Sequence, residues 1–376
     1  MRVSYSLTRR KQVIFLSWIP ETSLRTINLL EKLDRKRFQF RTFCIEGSLY
    51  GESIPSTTLN ENFTKTRNLH FNSYKCVQVP MYFQINTHFW EGLLKDAFLI
   101  RQTPFDSSLR SGLQSLNINL RELYFPYQMF ITHSEVDKGH HIYTKAERVF
   151  LADELQVDDF CRTLKIHQSR VSVIGSPQLD LIIETNQRRD KIVKVGYAPH
   201  HSIEKSNHLG GFGNFLTTST AILRASDEFD IEFIVRPHPI FKLVSATNAE
   251  RESQWQFFLA EIESRSNISI DANVDSSAFF QEIDLLITDG VSFLAEFPIT
   301  GKPLYFWPYS DQNELSDFGK LFYNEVTKVL SSEDLLKRLG VAINSEDGTS
   351  FTSPTYGLDN LGKTAKNLEN FLNDIP

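Results

Sequence analysis

The second half of the chain repeats one pattern, and that pattern limits the folds open to it. Short apolar runs, Ile192–Tyr197, Ile231–Arg236, Ile268–Ile270, Leu285–Thr288 and Pro303–Trp307, read as buried strands. Between them Asn214–Ala225, Ser253–Ser264, Ser277–Glu282 and Ser292–Phe297 carry helical periodicity. A helix after every strand returns the chain to the same sheet end, so the strands run parallel with helices on both faces.

The first half begins the same way. Val13–Trp18 and Phe38–Ile45 read as strands around a helix at Glu21–Leu33. Glu46–Asn72 is polar and reads as loop, and Val77–Phe83 as a strand. Leu93–Arg101 and Ser107–Leu116 read as helices. Leu123–Phe130 contains Pro126 and reads as strand-like only at an edge or sheet end. Val149–Leu151 and Val171–Ile174 are strands around a helix at Glu154–Leu164. The polar stretch Glu184–Lys191 then separates the two series as a linker.

The expected architecture is α/β: two Rossmann-like, doubly wound parallel-sheet domains. The first covers residues 1–183 and the second 192–355, with a C-terminal helix in 356–376 packing back toward the first. Sheets covered on both faces need large apolar side chains. With 30 Phe against 3 Met and 4 Trp, phenylalanine supplies that volume. Phe257 and Phe297 are among the expected core rings. Phe125, Phe212 and Phe293 flank the candidate loops and are the rings expected to meet a ligand.

Composition excludes several classes. A net charge of -6 leaves no chain-wide basic footprint for nucleic acid. Cys44, Cys76 and Cys161 lie far apart and form neither a zinc pattern nor a disulfide framework, which fits a reducing, cytoplasmic compartment. No run approaches the ~20 apolar residues of a membrane span. Arg2, Arg9, Arg10 and Lys11 form a basic start that offers peripheral contact with anionic lipid at the inner face of the cytoplasmic membrane.

In open parallel sheets, ligands bind beyond the carboxyl ends of the strands. Three such ends carry chemistry. The first strand of the second series runs into Pro199, His200 and His201, followed by the glycine-rich stretch 210–213. The second delivers Arg236 and His238 between two prolines. Arg suits phosphate, and His donates a hydrogen bond or moves a proton. At the fourth, Thr288, Asp289, Gly290 and Val291 lead into a helix at Ser292, whose N-terminus favours an anion. Glu296, one turn on, suits the hydroxyls of a ribose. The competing reading is that Asp289 and Ser292 only cap the helix. Gly301-Lys302-Pro303 lacks the surroundings of a phosphate loop.

A fourth cluster holds Tyr127, Gln128, His133, Glu135, Asp137, His140 and His141. No metal-ligand spacing emerges, and no Asp-x-Asp occurs, so neither a metal nor any other cofactor is expected. His133 or Tyr127 suits the role of a base acting on an acceptor.

The second half resembles the CDP-glycerol glycerophosphotransferase family, the teichoic-acid polymerase and primase group. The resemblance rests on Val173–Asp180, Tyr197–His201, Arg236–Pro239, Leu286–Ser292 and Thr300–Pro303, in that order. It implies a GT-B fold, two Rossmann-like domains facing a cleft with the nucleotide on the second. It also implies that His238 contacts the donor diphosphate. The chain departs from the family at Gly290 and Val291, at His200 after Pro199, and in lacking a clear Trp-His-Gly.

The expected activity is metal-independent transfer of glycerol phosphate or a sugar. The donor is nucleotide-activated, CDP-glycerol or a nucleotide sugar. The acceptor is a glycan or lipid-linked glycan of the cell surface, such as teichoic acid, capsule or lipopolysaccharide. The alternatives are a non-catalytic nucleotide- or glycan-binding partner subunit and a UDP-sugar epimerase-like enzyme.

Overall fold

The computed structural model describes residues 10–17, 20–46, 77–80, 87–102, 116, 118–133, 142–185, 191–201, 214–238, 241–246, 248–271, 276–308, 315–345 and 359–375. The chain forms two compact units. One takes its residues from Met1–Tyr127, Lys138–Pro177 and Asp359–Pro376, the other from Gln128–Asp137 and Gln178–Leu358. The change of unit falls at Pro177/Gln178, before the polar stretch 184–191. Glu184 and Thr185 of that stretch end a helix, Pro177–Thr185.

The first unit holds seven strands: β1 (Lys11–Ser17), β2 (Phe38–Glu46), β3 (Val77–Pro80), β4 (Ala97–Arg101), β5 (Arg121–Tyr124), β6 (Arg148–Leu151) and β7 (Val171–Val173). They form one parallel sheet in the order β3-β2-β1-β4-β5-β6-β7. Its helices among the described residues include α1 (Pro20–Glu31), α2 (Thr87–Leu94) and α3 (Val157–Leu164).

Two expectations fail in this unit. Ala97–Arg101 is not helical; it is β4, buried at every position. A continuous apolar run of that length suits a central strand covered on both faces. The run at Leu123–Phe130 is not an edge either. β5 lies between β4 and β6 and ends before Pro126, so the proline costs no ladder bond. The helix expected at Ser107–Leu116 and the loop expected at Glu46–Asn72 lie largely outside the described residues.

In the second unit the strands are β8 (Lys194–Ala198), β9 (Glu232–Val235), β10 (Ile268–Ile270), β11 (Leu285–Thr288), β12 (Leu304–Phe306) and β13 (Thr327–Lys328). Their order is β10-β9-β8-β11-β12-β13, all parallel. The described helices, numbered on from the first unit, are α4 (Pro177–Thr185), α5 (Phe215–Glu228), α6 (Phe241–Ser245), α7 (Ala249–Glu263), α8 (Ser276–Glu282), α9 (Val291–Glu296), α10 (Asp317–Glu325) and α11 (Ser332–Asn344). The strand order reverses direction between β8 and β11, which makes their carboxyl ends the switch point of the sheet. On one face Val195, Tyr197, Phe233, Val235, Leu285 and Ile287 alternate into a core closed by Phe215, Trp255, Phe258 and Leu339. On the other, α8 lies so close to β8 that a Cβ at Gly196 would sit 2.5 Å from Ile283 and 2.7 Å from Phe279.

Among the described residues phenylalanine fills both cores, and two rings depart from the place expected of them. Phe257 is 63% exposed on α7, facing away from the sheet. Phe125, expected near ligand, is buried in the first unit's core against Phe150, ring centroids 5.6 Å apart. Phe212 lies outside the described residues. Phe293 packs edge-on against Phe280 at 4.9 Å.

The last helix, α12 (Thr364–Asp374), belongs to the first unit. Leu368 and Leu372 join Val13, Phe15 and Leu30 in its core. The Lys11 ammonium donates to the carbonyl of Leu372 at 2.7 Å and to that of Ile375. It thus satisfies the end of α12. One cation of the basic start is therefore used inside the protein. Residues 1–9 lie outside the described set. Among the described residues no helix is long and apolar enough to cross a membrane.

Candidate functional site

Three strand ends of the second unit converge. Backbone bonds from Arg236 to Tyr197 (2.8 Å) and from His238 to Pro199 (3.3 Å) continue the β8–β9 pairing past the strands. They bring the imidazoles together. His201 lies 4.1 Å from His200 and 4.3 Å from His238, and His200 and His238 are 5.6 Å apart, centroid to centroid. Gly290, after β11, completes the group: a Cβ there would come within 3.9 Å of the His200 ring.

All the imidazole shifts run one way. Desolvation lowers His200 to about 4. Desolvation, then His200 and Arg236, lowers His238 to about 3. Both rings are neutral at pH 7, so each offers an N–H donor and a nitrogen acceptor, not a cation. Among the described residues no three His, Cys, Asp or Glu side chains are placed to hold a metal ion.

Arg236 was expected to face phosphate. Its guanidinium instead pairs with Asp271, whose side chain is 2% exposed, and lies 5.7 Å above the Phe279 ring. Much of its charge is therefore met inside the protein. Asp271 did not stand out in the sequence. It follows β10 as Arg236 follows β9, and the parallel register Ile270↔Val235 sets the two side by side.

The β11 turn is built differently from the expected helix cap. Thr288 donates to the Ala198 carbonyl at 2.7 Å and accepts from the Gly290 N–H at 2.9 Å. Gly290 is the N-cap of α9 and supplies no side-chain bond. Asp289 turns away from α9. It is fully buried, and its two oxygens accept from the backbone N–H groups of His200 and Asn214, each at 2.6 Å. α9 has six residues before a 3-10 turn at Phe297–Thr300, so its dipole is that of a single short helix. Val291 and Glu296 are buried on it.

The helix N-terminus at Ser292 was expected to meet an anion. The Ser292 hydroxyl donates to Gln128 Oε1 at 2.8 Å. The segment 128–133 belongs to this unit through three contacts beside α10. Ser316 donates to the Phe130 carbonyl at 2.8 Å, the Ser316 N–H donates to the Ile131 carbonyl at 2.8 Å, and Thr132 bridges Leu315. Gly319 permits this approach, because any Cβ there would overlap the Ile131 carbonyl oxygen. His133 is half-buried, its ring 5.7 Å from Phe130. Tyr127 belongs to the first unit, where its N–H donates to the Gln102 carbonyl. Glu135, Asp137, His140 and His141 lie outside the described residues. Lys302 is buried, and its ammonium donates to the carbonyls of Phe280 (2.7 Å) and Ile283 (2.8 Å) at the end of α8.

No protein-family model matches the chain, and no curated protein matches it. Solved structures do. The Staphylococcus aureus MnaA structure with UDP superposes at a TM-score of 0.62 and 12% identity, covering 97% of this chain and 98% of that one. The UDP-GlcNAc 2-epimerase of Neisseria meningitidis bound to UDP-GlcNAc gives 0.59 at 12% identity, covering 97% and 100%. A variant of the wall teichoic acid polymerase TagF gives 0.57 at 13% identity, covering 97% and 88%. At such identities the likeness defines the fold. The chain is a two-domain α/β protein of the GT-B fold.

Proposed function

We propose that the chain binds a nucleotide-activated donor on its second unit and transfers the activated group, glycerol phosphate or a sugar, to a glycan hydroxyl in cell-surface polysaccharide assembly. The observation that carries this reading is the meeting of His200, His201 and His238 at the switch point of the second sheet, where ligands of such folds sit. The ligands of similar structures agree with it: UDP on MnaA, UDP-GlcNAc on the Neisseria epimerase, and CDPG soaked into TagF.

In this reading the acceptor oxygen bonds to the transferred carbon or phosphorus. The bond from that atom to the nucleotide's phosphate oxygen breaks, and its electron pair leaves with the nucleotide. Negative charge grows on the departing phosphate. The neutral imidazole of His238 meets it with an N–H, and no solvent need reorganise. Arg236, held by Asp271, contributes a field already half balanced. Pro199, His200, His201, Thr288, Gly290 and Val291 form the walls, and Ser292 and Glu296 are the ribose side. His133 or Tyr127 takes the acceptor proton. The enzyme works at the cytoplasmic face of the membrane, where lipid-linked acceptors lie.

A second reading, epimerisation of a UDP-sugar, is favoured by the end-to-end match to the Neisseria enzyme. Product analysis separates the two. Purified protein is incubated with CDP-glycerol or UDP-GlcNAc and a glycan acceptor, and products are resolved by mass spectrometry and chromatography. Transfer gives a heavier acceptor; epimerisation gives an isomer of unchanged mass. His238→Ala is expected to lower either rate by about 100-fold or more. Wild-type turnover in His238→Ala would remove this site from the chemistry.

A further inference from the structure

Asp289 sits in the motif that suggested ligand contact, yet both of its oxygens are engaged by the protein. Oδ1 accepts from the His200 N–H and Oδ2 from the Asn214 N–H, each at 2.6 Å, with the residue fully buried. Asn214 is the N-cap of α5 and makes no side-chain cap bond. The carboxylate of Asp289 therefore supplies, from the neighbouring strand end, the acceptor for the N-cap N–H that the N3 side chain of a capping box usually provides. Its charge suits the start of a 14-residue helix. Charge-assisted bonds to two N–H groups also offset the cost of burying it.

We propose that Asp289 is a positioning residue: its carboxylate fixes the His200 backbone and the start of α5 together, and so sets the His200 and His201 rings against His238. The functional part of this inference rests on reading that cluster as the nucleotide site; the positioning does not. Asn in its place offers one acceptor for two N–H groups and turns its own amide hydrogens toward the second. Burial pushes the Asp289 carboxyl up to about 7, so both charge states are populated near neutrality. A protonated carboxyl likewise loses one acceptor. The titratable and charged groups on the elements packed around it are Tyr197 on β8, His200 and His201 beyond it, Arg236 and His238 after β9, Asp271 after β10, and Glu296 on α9.

The test follows the His200 and Asn214 amide protons of the full-length protein by NMR from pH 5.5 to 8.5, in the wild type and in Asp289→Asn. In the wild type both are expected to move upfield together in one step as the pH falls through neutrality. In Asp289→Asn that step is expected to vanish, amide exchange at both positions to rise at least tenfold, and UDP or CDP affinity to fall by a similar factor. Independent movement of the two amides, or a step that persists in Asp289→Asn, would overturn the proposal. Should Asp289→Asn fail to fold, the wild-type titration still decides. If the common step is present but neither UDP nor CDP binds the wild type, the positioning role stands and the nucleotide reading falls.

Discussion

The Ser292 hydroxyl donates to the side-chain oxygen of Gln128 at 2.8 Å, joining residues from opposite halves of the sequence within one compact unit. A net hydrogen bond of this kind contributes about 0.5–1.5 kcal/mol. Ser292→Ala and Gln128→Ala are each expected to destabilise the protein by that amount. The double variant should cost less than the sum, with a coupling of about 1 kcal/mol in urea unfolding. Strict additivity would contradict the bond.

Stability is expected to depend on pH through two opposed groups. His200 and His238 are lowered to about 4 and about 3. An unfolded chain takes up those protons near ~6.5, so their contribution to stability is lost as the pH falls below that value. Asp289 is raised to about 7. Between ~4 and ~7 the native carboxyl keeps a proton the unfolded one has lost, so its contribution declines as the pH rises through that window. Urea midpoints from pH 4.5 to 8 check both signs. His238→Gln should make the protein less sensitive to acid, and Asp289→Asn more so.

Lys302 lies in a segment shared with the resembling family, and its ammonium ends α8. Lys302→Met leaves carbonyls of that helix unsatisfied in a buried place. Destabilisation of about 2 kcal/mol or more is expected. Calorimetry on the folded variant should give wild-type nucleotide affinity. A loss of affinity without a loss of stability would make Lys302 a ligand contact.

The alternation of apolar runs and helices made both sheets legible, down to the limits of β10 and β11. What failed was short or nonlocal. Ala97–Arg101 and a neighbouring helix share one apolar stretch, and periodicity alone does not divide them. α10, β13 and α11 follow the last strand read from the sequence and were not anticipated; Ser316 and Ser331 cap the two helices. The candidate residues were legible as strand ends. Their partners were not, because Asp289, Arg236 and Ser292 are each satisfied from another part of the chain: by His200 and Asn214, by Asp271, and by Gln128. Of these, Asp271 alone carried a signal, a charge directly after a neighbouring parallel strand.

Titration calorimetry of UDP and CDP against the wild type and His238→Ala tests the central claim most directly. The account predicts that the wild type binds at least one of the two nucleotides. Loss of a hydrogen bond to a charged phosphate should then weaken binding to His238→Ala by about 10- to 100-fold, with its unfolding transition intact. Equal affinity in the two proteins, or no binding of either nucleotide by the wild type, would contradict it.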